Sequence, residues 1–151
     1  CDPPVTNGHE RLFGYRRAVE IFGFDDDPQL VEFCGGRIDE AHQAMNGILE
    51  RGLKPTAVLT HNDARALGVM DALKQAGLRI PADISVVGFD DIALSHEVVP
   101  ALTTVHVPRK TMGITAVQRL LDSIQGKENP FIKVIVPTNL VVRGSTAAVK
   151  G

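Results

Sequence analysis

The chain has 151 residues, of which 44% are hydrophobic and 23% charged, and its formal net charge is −2. This composition suits one ordinary globular core and excludes the low-hydrophobicity, high-charge class of disordered chains. The small negative charge also argues against a domain that grips nucleic acid by itself, because such domains carry a basic excess.

The number of cysteines and the lengths of the apolar runs indicate the cellular compartment in which we expect the protein. Two cysteines, Cys1 and Cys34, are too few for a disulfide framework and indicate reduced thiols in a cytoplasmic protein. The apolar runs are far shorter than the roughly 18 residues of a membrane span, so we expect no membrane contact. The sequence starts at Cys1 without a methionine, so we expect it to be part of a longer protein.

Hydrophobic periodicity divides the chain into alternating helices and short strands. Helices are predicted where apolar residues recur at spacings of three and four, and strands where short apolar runs end in turn residues. Asn62 is a predicted N-cap, and Gly52, Gly77 and Gly126 are predicted to end helices. In chain order the predicted elements are a helix at 12–22, a strand at 30–35, a helix at 38–49, a strand at 55–60, a helix at 63–76, strands at 84–89 and 103–107, a helix at 117–124, and strands at 131–136 and 139–144.

This alternation predicts an α/β fold with a largely parallel sheet covered by helices. Ligands of open α/β sheets bind beyond the carboxyl ends of the strands. Three predicted strand ends therefore become candidates for a binding site, at 61–63, 89–91 and 106–108. All three carry polar side chains, which an ordinary buried strand end does not require.

The acids that follow "SVVGF" admit two interpretations. Asp91 either caps the next short helix or reaches into a cleft, whereas Asp90, directly after the strand, favours the cleft. A carboxylate there can accept hydrogen bonds from vicinal hydroxyls or ring N–H groups. Asn62 is expected to cap its helix and can also turn its amide towards the cleft. Arg11 is either a solvated helix arginine or a fork that binds ligand oxygens.

The sequence offers little support for a metal, a cofactor or catalysis. The five histidines do not fall at metal-ligand spacings, and His61 with Asp63 lacks a second cluster. Neither a Gly-rich phosphate loop nor a G-x-S-x-G nucleophile elbow occurs. Asp90 and Asp91 could hold Mg²⁺ for phosphoryl transfer, but that chemistry needs companion residues that the spacing does not offer. We therefore expect no cofactor, no metal and no enzymatic activity.

Several blocks of sequence together resemble one protein family. The chain contains "PTAVLTHNDARALGVMDALKQAGLRIPADISVVGFDD", then "PALTTVHVP" and a closing "NLVVRGST". Their order and spacing resemble the lactose-repressor/galactose-repressor (LacI/GalR) transcription regulators. The resemblance extends from "ERLFGYRRAV" to Thr146.

The resemblance implies the effector-sensing domain of a dimeric regulator, with a periplasmic-binding-protein-like fold of two α/β subdomains around a hinge cleft. Operator DNA would be bound only through a headpiece that this chain lacks. The implied organisation is a C-terminal subdomain at 1–106, a helix of the N-terminal subdomain at 107–128, and return strands with a tail at 129–151. Because most of the N-terminal subdomain is absent, we expect the helix at 109–125 to expose its apolar face, swing away or pack on a partner chain.

The family's ligand contacts map onto positions of this chain. The implied contacts are Asn7, Arg11, Asn62 and Asp90, with Phe89 as a candidate aromatic platform. Two positions depart from the family. Gly35-Gly36-Arg37 stands where relatives often carry an aromatic that stacks on the ligand, and Val107 stands where relatives often carry glutamine.

The segment at 93–98 resembles the family's dimer contact, which would place Leu94, Glu97 and Val98 in the interface, although an ordinary surface turn explains it equally well. The expected partners are a small-molecule effector, either a sugar or a related small polar metabolite, and a second copy of the chain. The alternative is a periplasmic sugar-binding protein of a transporter, which would need a signal peptide and a monomeric state.

Overall fold

The computed structural model describes residues 7–127 and 132–148, which form five helices and four strands. The helices are numbered α1 to α5 and the strands β1 to β4, in chain order. A 3-10 turn lies at Pro28–Leu30. The elements are α1 (Asn7–Phe22), α2 (Ile38–Glu50), β1 (Ala57–Leu59), α3 (Asp63–Gln75), β2 (Ser85–Asp90), α4 (Leu94–Glu97), β3 (Thr103–His106), α5 (Arg109–Ile124) and β4 (Asn139–Val141).

The strands form one sheet in the order β1-β2-β3-β4. β1, β2 and β3 are parallel, and β4 pairs antiparallel with β3. The predicted α/β class with a mainly parallel sheet is therefore confirmed. Since the three parallel strands run the same way, their carboxyl ends meet at one edge, which is where the sequence places its polar strand ends.

The hydrophobic core lies where α3 packs between the sheet and α2. Val86 of β2 and Leu73 of α3 are fully buried there, as is Met45 of α2. Gly68 permits the close approach of the two helices, because a Cβ at that position would collide with the Ile38 carbonyl at the start of α2. The core comprises Met45, Ile48, Ala66, Val69, Met70, Ala72, Leu73, Ile84, Val86 and Leu102.

Two of the predicted strands are wrong. The segment at 30–35 is irregular after its 3-10 turn, with Phe33 77% exposed, and the described part of the segment at 131–136 is also irregular, with Ile135 76% exposed. An apolar run becomes a strand only when a neighbouring strand supplies its hydrogen bonds. In the described part of the chain neither segment pairs with the sheet.

Helix α5 buries none of its side chains. The prediction that this helix exposes its apolar face is confirmed. Six large apolar side chains on it are 45–72% exposed, namely Met112, Ile114, Val117, Leu120, Leu121 and Ile124. Across 7–127 and 132–148, no helix combines the length and hydropathy needed to cross a membrane.

Candidate functional site

The carboxyl edge of the parallel strands gathers polar side chains from three segments distant in sequence. β1 is followed by His61, β2 ends in Phe89 and Asp90, and β3 ends in His106. Helix α1 brings Arg11 to the same edge. This cluster of Arg11, His61, Phe89 and Asp90, together with Arg65, is called the strand-end site below.

Arg11 is the centre of the strand-end site. Its Nη1 donates to the His61 carbonyl and lies 3.2 Å from His61 Nδ1. Its guanidinium carbon lies 3.8 Å from the centroid of the Phe89 ring, a cation–π geometry. Nη2 is 3.9 Å from Oδ1 of Asp90, so this ion pair is a loose one. Three of the residues predicted to bind ligand, namely Arg11, Phe89 and Asp90, thus lie together.

The two predicted asparagines differ in what the structure says of them. Asn62 is the N-cap of α3, as predicted, because its Oδ1 accepts the backbone N–H of Arg65 at 3.1 Å. Its oxygen is therefore already engaged in capping. Asn7 is the first residue of α1, and its side chain lies outside the described part of the chain.

A second arginine completes the strand-end site. Arg65 Nη1 lies 2.9 Å from His61 Nδ1, and its Nε donates to the carbonyl of Gly35 at 2.8 Å. Burial lowers the pKa of His61, and the charges of Arg11 and Arg65 lower it further, against the opposing Asp90. Since both guanidinium groups face Nδ1, the neutral ring is assigned its proton on Nε2.

Asp90 and Asp91 both adopt positive φ, at 112° and 54°. Residues other than glycine rarely adopt a backbone with positive φ, and such strain concentrates at functional sites. The reversal sends the two neighbouring carboxylates to different partners. Asp90 remains at the strand-end site, and Asp91 contacts Arg143 and His106.

The interpretation of Asp91 as a helix cap is wrong. The N-cap position of α4 is Ala93, and no side-chain capping bond is made there. Asp91 instead lies 2.6 Å from Arg143 Nη2 and 2.8 Å from His106 Nδ1. Burial raises the pKa of Asp91, but the hydrogen bonds from Arg143 and His106 outweigh it and bring the pKa to about 2. Asp91 thus ties β2, β3 and the returning tail together.

Asp63 has a structural role that the sequence does not reveal. Its fully buried carboxylate accepts the hydroxyl of Thr104 at 2.5 Å and the backbone N–H of Ile92 at 2.9 Å. Gly88 is required beside it, because a Cβ there would collide with this carboxylate. Asp63 is therefore not available to hold a metal with His61, and the described residues contain no group of three His, Cys, Asp or Glu suited to a metal ion.

The segment predicted to contact a partner chain lies at the surface. Leu94 is 48% exposed and Glu97 is exposed, whereas Val98 is half-buried. The next residue, Val99, is 79% exposed. The segment presents apolar side chains to solvent, as an interface does, but exposure alone does not distinguish an interface from a surface turn.

Sequence reasoning singled out neither Arg65 nor Arg143. Arg65 has the pattern of an ordinary residue in the first turn of a helix, and His61, which it contacts, precedes the N-cap of that helix. Arg143 lies 52 residues from Asp91 in sequence, and no local pattern signals that pair.

The chain is similar to a known domain family and to known transcription regulators. A model of the periplasmic binding protein-like domain matches residues 2–146. The HTH-type transcriptional repressor CytR from Escherichia coli (strain K12) is 37% identical over 140 residues, which is 93% of this chain and 41% of that protein.

Two solved structures share the fold closely. One is a LacI-type transcription regulator from Bifidobacterium animalis subsp. lactis, with a TM-score of 0.88 and 30% identity, covering 97% of this chain and 53% of that one. The other is a LacI family transcriptional regulator from Enterococcus faecium with bound ribose, with a TM-score of 0.84 and 30% identity, covering 94% of this chain and 52% of that one. The chain spans about two-fifths of the curated relative's length and about half of each solved chain.

Proposed function

Since the chain belongs to the LacI/GalR family of regulators, within its periplasmic binding protein-like domain, we propose that it is the effector-sensing and dimerisation part of a DNA-binding transcription regulator. The observation that carries the proposal is the convergence of Arg11, Phe89 and Asp90 at the carboxyl edge of the parallel strands. Four predicted ligand contacts, Arg11, Asn62, Phe89 and Asp90, belong to this edge, and Asn7 begins the helix that carries Arg11.

The proposed effector is a sugar or a related small polar metabolite. Asp90 can accept two hydrogen bonds from vicinal hydroxyls, and Arg11 can donate to ligand oxygens beside it. The Enterococcus faecium relative was solved with bound ribose, which supports this class. The distance of 3.9 Å between Arg11 and Asp90 leaves both groups with hydrogen-bonding capacity for a ligand.

The competing functions have less support. The relatives named above are transcription regulators, which favours the regulator over the binding protein of a transporter. They are not enzymes either. The magnesium hypothesis needs both acids of the pair, and the Asp91 carboxylate is held by Arg143 at 2.6 Å and His106 at 2.8 Å.

The proposed domain organisation divides the chain at 106 and 128. The core of α2, α3 and the sheet represents the C-terminal subdomain at 1–106, and the segment at 107–128 represents a helix of the N-terminal subdomain. The exposed apolar face of α5 supports this assignment. For 129–151, Ser145 supports a return to the C-terminal subdomain, because its Oγ donates to the Val86 carbonyl at 2.6 Å.

The proposed regulator acts as a homodimer in the cytoplasm, with Leu94, Glu97 and Val98 in its interface. Effector binding would favour one relative orientation of the two subdomains, and the dimer would transmit this to headpieces on operator DNA. Analytical ultracentrifugation of the full-length protein tests the interface. Leu94→Asp is expected to weaken the dimer, whereas Ile21→Asp, at a position on α1 that is 60% exposed against 48% for Leu94, is not.

A thermal-shift screen of the full-length protein tests the effector site. The panel contains neutral sugars, sugar phosphates, polyols and purines, and each hit is repeated with Asp90→Ala and with the exposed control Asp26→Ala. A ligand at about 100 times its Kd stabilises by about 2.7 kcal/mol, a rise in Tm of roughly 5–10 °C. We expect a hit that Asp90→Ala removes and Asp26→Ala retains. A hit that survives Asp90→Ala would contradict the site.

A further inference from the structure

We propose that the strand-end site recognises an anionic group on its effector, namely the phosphate of a phosphorylated sugar, through Arg65 acting together with Arg11. This inference rests on the proposed function and specifies the chemical class of its ligand. The proposal is based on two guanidinium groups that contact the same histidine, His61, while the Asp90 carboxylate pairs only loosely with one of them.

The two guanidinium groups are close together. Arg11 Nη1 and Arg65 Nη1 cannot be more than about 6 Å apart, because they lie 3.2 and 2.9 Å from the same atom, His61 Nδ1. Like charges at this separation repel each other in a partly desolvated site. An anion bound between them removes this repulsion, and the planar donor forks of arginine match the oxygens of a phosphate.

Ion pairing at the strand-end site is incomplete. Asp90 is 3.9 Å from Arg11 and partly offsets its charge. Arg65 has no carboxylate within ion-pair distance among the residues that the structure describes; its recorded partners are the carbonyl of Gly35 and the ring of His61. The Glu40 carboxylate lies close to Gly35 and accepts the backbone N–H of Arg37 at 2.8 Å, but it makes no ion pair with Arg65. The two guanidinium groups of the site therefore have one ion-pair partner between them, the Asp90 carboxylate.

The aromatic platform expected for a neutral sugar is also occupied. The guanidinium of Arg11 covers the Phe89 ring at 3.8 Å. The Gly35-Gly36 pair, which stands where an aromatic was expected, provides none. Arg65 lies beside this pair, because its Nε donates to the Gly35 carbonyl at 2.8 Å. The site therefore offers cationic donors where a stacking surface was expected.

The arginines and the acid of the strand-end site suit different parts of a ligand. Arg65 lies in the first turn of α3, a helix of 13 residues that begins beyond Asn62. Asp90 remains free to accept hydroxyl groups from the sugar part of the ligand. The arrangement therefore fits a molecule with hydroxyls at one end and a phosphate at the other.

The first test uses inorganic phosphate as the probe and needs no knowledge of the effector. The Tm of the full-length protein is measured in phosphate and in chloride at equal ionic strength, for the natural protein, Arg65→Met and Arg16→Met. Arg16 is an exposed arginine of the same helix as Arg11 and serves as the matched control. We expect phosphate to raise the Tm of the natural protein and Arg16→Met, and not that of Arg65→Met. An equal response to chloride, or an undiminished response in Arg65→Met, would overturn the proposal.

The second test separates this inference from the proposed function. Calorimetric titration compares ribose with ribose 5-phosphate and glucose with glucose 6-phosphate. We expect a phosphorylated sugar to bind more tightly than its neutral partner and to lose about tenfold in affinity with Arg65→Met, as for one charge-assisted contact. Binding of a neutral sugar that Asp90→Ala abolishes and Arg65→Met leaves unchanged would refute the anion site while the proposed function stands. Phosphate-dependent stabilisation without any sugar binding would support the anion site while leaving the proposed sugar effector unsupported.

Discussion

Replacing Asp91 with asparagine should make the stability of the protein much less dependent on acid. Asp91 is 11% exposed and its partner Arg143 is 12% exposed, so water screens this ion pair weakly. The pKa of Asp91 is held at about 2, against an ordinary value of 3.8. Because the folded-state pKa is depressed, the stabilisation is complete above the unfolded-state pKa and is lost as the pH falls towards the folded-state value.

The shift of nearly two pKa units corresponds to about 2 kcal/mol of folding free energy at neutral pH. Asparagine also leaves Arg143 buried without its counter-charge, which raises the expected cost to about 2–5 kcal/mol. At pH 3 roughly half of the linkage term should remain, and near pH 2 most of it should be gone, because a protonated Asp91 resembles asparagine in charge and shape.

Urea denaturation between pH 7 and pH 3 measures this difference directly. The control is Asp39→Asn, which removes an exposed ion pair with Arg37 and should change the stability little at any of these pH values, because water screens exposed ion pairs. The reasoning is refuted if Asp91→Asn costs no more than Asp39→Asn at pH 7. It is equally refuted if the cost of Asp91→Asn does not shrink on acidification.

Three further substitutions follow from the packing. Gly88→Ala should destabilise by about 1–3 kcal/mol, since its Cβ would collide with the buried Asp63 carboxylate, whereas Gly113→Ala on exposed α5 should stabilise by about 0.5–1 kcal/mol; urea denaturation of both variants checks the contrast. Leu120→Glu, at a position 60% exposed on α5, should change the stability of this chain by less than about 0.5 kcal/mol but destabilise the full-length protein by more than about 1 kcal/mol; equal effects in both would contradict the assignment of α5 to the N-terminal subdomain.

Elements with local signals were predicted well from the sequence. The cap at Asn62 and the glycine that ends α3 are each signalled by the residue type at the helix end. The alternation of strands and helices predicts the α/β class. The strands at 30–35 and 131–136 were predicted wrongly because hydrophobicity signals burial, while pairing depends on a partner elsewhere in the chain. Phe33 and Ile135 are apolar and yet exposed.

The strand-end site was predicted only in part, for the same physical reason. Asp90 and Phe89 follow a recognisable buried strand, and the parallel sheet fixes the edge at which they lie. The partner of Arg11 is 50 residues away at His61, and that of Asp91 is 52 residues away at Arg143. Such pairs arise from the topology, which brings strand ends together, and they leave no periodic trace in the sequence.

The central claim is that an effector binds at the carboxyl edge of the parallel strands. A crystal structure of the full-length protein with the ligand found by the thermal-shift screen tests it most directly. We expect ligand oxygens within hydrogen-bond distance of the Arg11 guanidinium and ligand hydroxyls on the Asp90 carboxylate. A ligand lying instead in the groove between α2 and α3, which His42 and Asp71 line, would contradict it.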